Sequence, residues 1–175
     1  GTVNMISKKA QLSKVHVGEG LISYGRFASS SLGVGIAGPI TETTAYRVDF
    51  DRRASDGWVD DSASETLNAS GSLLWQATPD FGLRLSVTFL RDDLPAYWGT
   101  PLVPRTVAQD PDSGVVASDR GWVVDRALRY TNYNVTDHQI DSSSLWTRAD
   151  VDWVLSESLS VWAKVFRFGA ERDWQ

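Results

Sequence analysis

The sequence contains no cysteine, which excludes a disulfide framework and any thiolate metal site. That absence is compatible with any compartment, an oxidising envelope included. The two histidines, His16 and His138, stand far apart and offer no metal-ligand spacing, so each reads as a polar-face or loop residue. Basic excess is also lacking: 17 Lys and Arg stand against 22 Asp and Glu, a net charge of −5, which is not the footprint of a nucleic-acid binder. No apolar run approaches the roughly 20 residues of a transmembrane helix. No secretion signal opens the chain, but it begins at Gly1 and its first residues read like the middle of a protein, so that absence does not bear on export.

What is present is aromatic and alternating. The 175 residues include eight Trp and only one Met, a length sufficient for one domain. Apolar and polar residues alternate with period two, which marks strands with two different faces. Val15, Val17 and Leu21 alternate with His16, Gly18 and Gly20, and Leu32, Val34 and Ile36 with Ser31, Gly33 and Gly35. Tyr46, Val48 and Phe50 alternate with Arg47, Asp49 and Asp51; Leu67 to Trp75 with Asn68, Ser70 and Ser72; Leu83 to Phe89 with Arg84, Ser86 and Thr88. Leu145, Ala149, Val151 and Trp153 alternate with Arg148, Asp150 and Asp152. A seventh run, Leu159 to Val165, is less clean because Trp162, Phe166 and Phe168 occupy the opposite phase. The pattern predicts an all-β chain, an antiparallel up-and-down meander of about seven strands with essentially no helix.

The connections differ at the two ends. Gly38–Thr43, Thr78–Gly82 and Ser156–Ser158 are tight turns, with Pro, Asp and Gly supplying fixed φ, side-chain caps and positive φ. The alternate connections lie around Tyr24–Arg26, from Ala54 to Glu65, and across most of Asp92 to Ser142. In a meander every second connection lies at the same end, so one end carries short turns and the other long polar loops, the layout of an outer-membrane barrel. A soluble sandwich also alternates, and alternation does not separate the two. Three features favour the barrel: Tyr24, Phe27, Trp75, Phe89 and Trp153 fall near strand ends, as interfacial girdles do; the runs suit a tilted bilayer crossing; and a loop of about fifty residues is foreign to a compact soluble domain.

The opening Gly1-Thr2-Val3-Asn4-Met5-Ile6-Ser7-Lys8-Lys9 resembles the close of the plug domain in TonB-dependent siderophore receptors, with Ala10 where that family usually has Pro. Further pieces follow in the family's order: Tyr24-Gly25-Arg26-Phe27; Gly38-Pro39-Ile40 before Tyr46-Arg47-Val48; Ser55-Asp56-Gly57-Trp58 before Asp60-Asp61; Leu73 to Asp80; and Tyr97-Trp98-Gly99-Thr100-Pro101. The likeness spans the chain. It implies that residues 1–10 end a plug and residues 11–175 begin a transmembrane barrel of about 22 strands. It also implies a receptor in the bacterial outer membrane that imports ferric siderophores with energy from TonB, through plug regions outside this chain. Iron would enter only as the chelate, with no cofactor of the protein's own, and lipid and lipopolysaccharide would surround the barrel. A passive porin-like protein and a soluble carbohydrate-binding sandwich are the alternatives.

Catalytic chemistry finds little support. Gly33-Val34-Gly35-Ile36-Ala37-Gly38 matches a dinucleotide fingerprint, but Pro39 and a Thr-rich turn follow where a helix is required. Asp110-Pro111-Asp112-Ser113-Gly114 lacks the later ligands of a calcium loop. Asp60-Asp61 and Asp92-Asp93 read as solvated loop charges, and no nucleophile motif accompanies a Ser-His-Asp set, so an enzyme is not expected. Loops are where ligand binding is expected, and the candidates are Trp58, Tyr97, Trp98, Arg105, Trp122, Arg126 and Tyr130, with Arg120, Arg129 and Tyr133 in the same long loop. Aromatics there suit the planar groups of a siderophore and arginines suit an anionic chelate. The loop from Asp92 to Asp141 nevertheless holds eight Asp and four Arg, which suits a neutral or cationic ligand as well, or divalent cations bridging to lipopolysaccharide.

Overall fold

The computed structural model describes residues 8–97, 99–112, 114, 121–134 and 139–174. Its strands are β1 (Val17–Tyr24), β2 (Ser30–Pro39), β3 (Thr44–Ser55), β4 (Ser64–Thr78), β5 (Phe81–Pro95), β6 (Leu102–Pro104), β7 (Pro111–Asp112), β8 (Trp122–Asp125), β9 (Gln139–Ser156) and β10 (Leu159–Trp174). Seven form one antiparallel sheet in the order β1-β2-β3-β4-β5-β9-β10, and β6-β8-β7 form a small second sheet. The expected all-β meander is therefore the fold, and one 3₁₀ turn, Arg126–Leu128, is the helical exception among the described residues.

Turn chemistry sets the geometry. Pro79 and Asp80 alone separate β4 from β5, and Glu157 and Ser158 separate β9 from β10. At the opposite end β1 and β2 are joined by Gly25–Ser29, β3 and β4 by Asp56–Ala63, and β5 and β9 by residues 96–138. The described parts of the long connection are not structureless: they carry β6, β7 and β8. β4, β5, β9 and β10 run 15, 15, 18 and 16 residues, about three times the length usual in soluble sheets.

Register divides the sheet into two faces. Glu19, Gly35, Asp49, Ser70, Thr88, Trp146 and Phe168 stand opposite one another in one row, which belongs to the concave face. Tyr46, Leu73, Leu85, Ala149 and Val165 form a row on the outer face. Strand β1 departs from the sequence-based expectation. Val17 and Leu21 lie on the concave face with Glu19, while Gly18, Gly20, Ile22 and Tyr24 take the outer phase. The pairing of β1 with β2 sets this register, and it brings Glu19 to Arg47 on β3. A strand cannot turn one residue inward without carrying its whole phase along. The opposite-phase aromatics of β10 likewise prove to be concave-face residues, with Phe168 against Trp146 at 4.4 Å.

The seven strands form one layer. The chain exposes 12706 Å², whereas a compact protein of this size exposes roughly 8,500 Å². Among the described residues the buried apolar ones are few and small: Ala10, Ala45, Val59, Ala96 and Val123. Ile36, Val48, Leu73, Leu85, Val87 and Trp153 keep between 38% and 55% of their surface exposed on the outer face. The second layer that a sandwich requires is absent among the described residues.

Candidate functional site

Three surfaces carry the chemistry. The first is the concave wall, a groove of about 680 Å³ lined by Lys8, Lys9, Glu19, Arg47, Asp49 and Arg148, among others. Arg47 donates to Asp49 through Nε at 2.8 Å and Nη2 at 2.5 Å, and its Nη2 also reaches Glu19, which takes Lys8 Nζ at 2.6 Å. This network lies flat because Gly35 leaves room: a Cβ there would sit 2.6 Å from Asp49 Oδ1. The segment before β1 crosses the same wall, with Ala10 fully buried and its N–H donating to Ser72 Oγ at 2.8 Å. Nearer the tight turns Asp150 accepts both Nε and Nη2 of Arg148, at 2.8 and 2.7 Å.

The second surface is the outer face. Trp75, Phe81 and Trp153 pack edge to face at 6.3 and 5.8 Å beside the tight turns. Above them the face of β3, β4 and β5 is apolar as far as Phe50, Ala69 and Phe89, with Thr147 and Arg167 interrupting it on β9 and β10, and beyond that come Arg52, Glu65, Arg91, Asp93 and Asp141. On β5 the apolar band runs from Phe81 to Phe89, eight steps or roughly 27 Å along the strand at ~3.4 Å per residue, which at the ~35–45° tilt of outer-membrane strands covers roughly 19–22 Å of their ~25 Å belt.

The third surface is the loop end, where the candidate ligand residues lie. Gly57, at φ +77°, opens the β3–β4 loop. Val59 is buried beneath it and Ser62 Oγ closes it onto the Val59 carbonyl at 2.5 Å. This loop presents Trp58 edge-on to Tyr97 with centroids 5.9 Å apart, so two of the expected residues meet. Tyr130 gives its carbonyl to the Asp60 N–H at 2.7 Å, while the Arg129 guanidinium lies 4.6 Å over its ring. The others stand apart from that pair. Arg126 pairs with Asp110 at 2.8 Å, so its charge is already matched. Arg105 is exposed and its N–H bonds the Gly121 carbonyl; Trp122 is exposed opposite Pro104 on β8. Trp98 and Arg120 lie outside the described residues.

Sequence reasoning passed over Asp125, the residue that organises the long loop. Its buried carboxylate accepts the N–H groups of Gln109 at 2.8 Å, Asp110 at 2.9 Å and Ala127 at 3.0 Å. The available signal was Asp125 ahead of Arg-Ala-Leu, an N-cap pattern. The Gln109 N–H above all, with those of Asp110 and Ala127, holds its pKa below the ordinary aspartate value against the opposing effect of burial. A depressed pKa means that this contribution to stability is present above the unfolded value, about 3.9, and is lost as pH falls through the folded one. The amide proton shifts of Gln109, Asp110 and Ala127 should therefore titrate together with a midpoint below about 3.9; a midpoint above it would contradict the assignment. Arg126 is shifted up by its hydrogen bond to Asp110 and stays charged throughout that range.

Among known proteins, no family profile and no curated protein matches this sequence. Its fold does have a solved counterpart. The chain is similar to the ferric-catecholate import receptor Fiu from E. coli K12 in its open form, with a TM-score of 0.78 and 17% identity over 98% of this chain. It spans 26% of that receptor's length. At that identity the likeness establishes shared architecture: this seven-stranded antiparallel sheet is built like part of a barrel receptor.

Proposed function

We propose that the protein is an outer-membrane receptor that imports ferric siderophores with energy from TonB, and that this chain forms the close of its plug and the first seven strands of its barrel. The observation that carries the proposal is the outer face of β3 to β5, where an apolar band lies between an aromatic row at the tight turns and a charged row at the loops. In water that face has no partner layer; in a bilayer it needs none. The likeness to an import receptor for ferric catecholates supports the cargo class. A catecholate chelate is planar and aromatic at its rim, which suits the Trp58–Tyr97 pair. The role is transport rather than catalysis, and iron passes through as cargo.

The seating of Lys8–Ala10 on the concave wall favours a plugged receptor over an open porin, because the chain itself narrows the lumen at mid-height. In planar bilayers the native protein should show little ligand-free conductance, and in cells protonophore treatment should abolish uptake of an iron(III) catecholate. Large ohmic conductance together with protonophore-insensitive uptake would establish the porin reading instead. Replacing Trp58 or Tyr97 by Ala should weaken chelate binding by roughly three- to tenfold, measured by fluorescence quenching on the purified protein.

A further inference from the structure

We infer that Asn132 and Asn134 are positioning residues for the Trp58–Tyr97 pair, tying the turn after Trp58 and the backbone before Tyr97 to one short run, residues 130–134. This rests on the proposal that the loop end receives the ligand. The aromatic pair brings together two loops far apart in sequence, and a single edge-to-face contact does not offset the entropy of ordering both. A short run of the long loop's returning limb supplies the missing hold at both ends of the pair. On one side, Asn132 Nδ2 donates to the Asp61 carbonyl at 3.1 Å, and the Tyr130 carbonyl takes the Asp60 N–H at 2.7 Å. These bonds clamp the turn just after Trp58. On the other side, Asn134 Nδ2 donates to the Ala96 carbonyl at 2.9 Å, immediately before Tyr97. The two grips are themselves joined, since Asn132 Oδ1 accepts the Asn134 N–H at 3.1 Å.

The arrangement has a directional chemistry. Both asparagines act on the neighbouring loops as amide donors to backbone carbonyls, and a carboxylate cannot do this. Asp61, whose carbonyl Asn132 holds, sits at φ +51°, a conformation uncommon for a residue other than glycine. Val59 and Ala96, on either side of the aromatic contact, are among the few buried apolar residues. Losing the clamp would therefore expose apolar surface as well as free the rings.

The test uses the native protein in detergent micelles. In Asn132→Asp and in the Asn132→Ala/Asn134→Ala double variant, amide exchange at residues 58–61 should accelerate by about fivefold or more, the effect of losing one to two hydrogen bonds. Exchange within β4 and β5 should stay unchanged. Titration with the iron(III) complex of 2,3-dihydroxybenzoate adds a readout that simple loosening would not reproduce. The double variant should bind more weakly than wild type, yet combining it with Trp58→Ala should cost no more than Trp58→Ala alone. Unchanged exchange at 58–61, or fully additive binding losses, would overturn the inference. If the wild-type protein binds no catecholate, the ligand proposal fails by itself, and the exchange measurement still decides whether the asparagines hold the pair.

Discussion

An arginine in place of Leu85 is expected to destabilise the protein in a bilayer by roughly 2–4 kcal/mol, the cost of a cation at the midplane on the lipid face of a barrel. Leu85 is the middle residue of the apolar band on β5, with Phe81 and Leu83 on one side and Val87 and Phe89 on the other. Its cross-strand neighbours Leu73 and Ala149 are apolar, so no nearby carboxylate can receive the charge. The matched control is Thr88→Arg, three residues along but on the concave face, where Thr88 stands between Ser70 and Trp146. There the guanidinium meets a polar groove with an aromatic face beside it, and the loss should be several times smaller. Urea titrations of the native protein refolded into lipid vesicles measure both. Equal losses for the two variants would mean that the outer face does not meet lipid, and the membrane assignment would fall with it.

The second large effect is local. Replacing Asp125 with Ala removes the acceptor for three backbone N–H groups at once, those of Gln109, Asp110 and Ala127. Bonds to a charged acceptor are the strong ones, and donors left unpaired in a buried place are costly. Val123, the largest side chain fully buried among the described residues, lies two residues away in the same strand. The small sheet has so little other apolar burial that it should not survive the change. Proteolytic cleavage between residues 104 and 126 is expected to accelerate by about a hundredfold or more, with the seven-stranded sheet intact. Asp125→Asn should fall between: with its oxygen in the Oδ1 position it keeps Asp110 and Ala127 but sets an amide donor against the Gln109 N–H. If Asp125→Ala left cleavage at the wild-type rate, the carboxylate would not be the organiser of this loop.

How much was legible follows from which interactions are local. The tight turns announce themselves through Pro39, through Pro79-Asp80 and through the short Glu157-Ser158 link, because turn chemistry depends on a few consecutive residues. Strand alternation in β2, β3, β4, β5 and β9 is equally plain, since a polar and an apolar face impose period two on any strand between them. The phase of β1 was not legible: Val17 and Leu21 look like the buried set until Glu19 is seen to reach Arg47 two strands away. The concave aromatics Trp146, Phe166 and Phe168 were hidden for a similar reason, because an aromatic residue in the polar phase has no meaning until its cross-strand neighbour is known. Among the candidate ligand residues, sequence reasoning found both members of the Trp58–Tyr97 pair but not that they touch. Nor did it distinguish them from Arg126, whose charge Asp110 has already matched.

By itself the sequence determined the all-β class, the meander, the short-turn and long-loop ends, and the amphipathic character of the sheet. Each of these rests on neighbours a few residues apart along one chain. Only the tertiary structure decided that the seven described strands form a single layer, which face each residue of β1 and β10 presents, and how Asp125, Asn132 and Asn134 shape the loops. Those features depend on contacts between segments separated by tens of residues. Such contacts are set by register and loop closure, and neither leaves a mark on local composition.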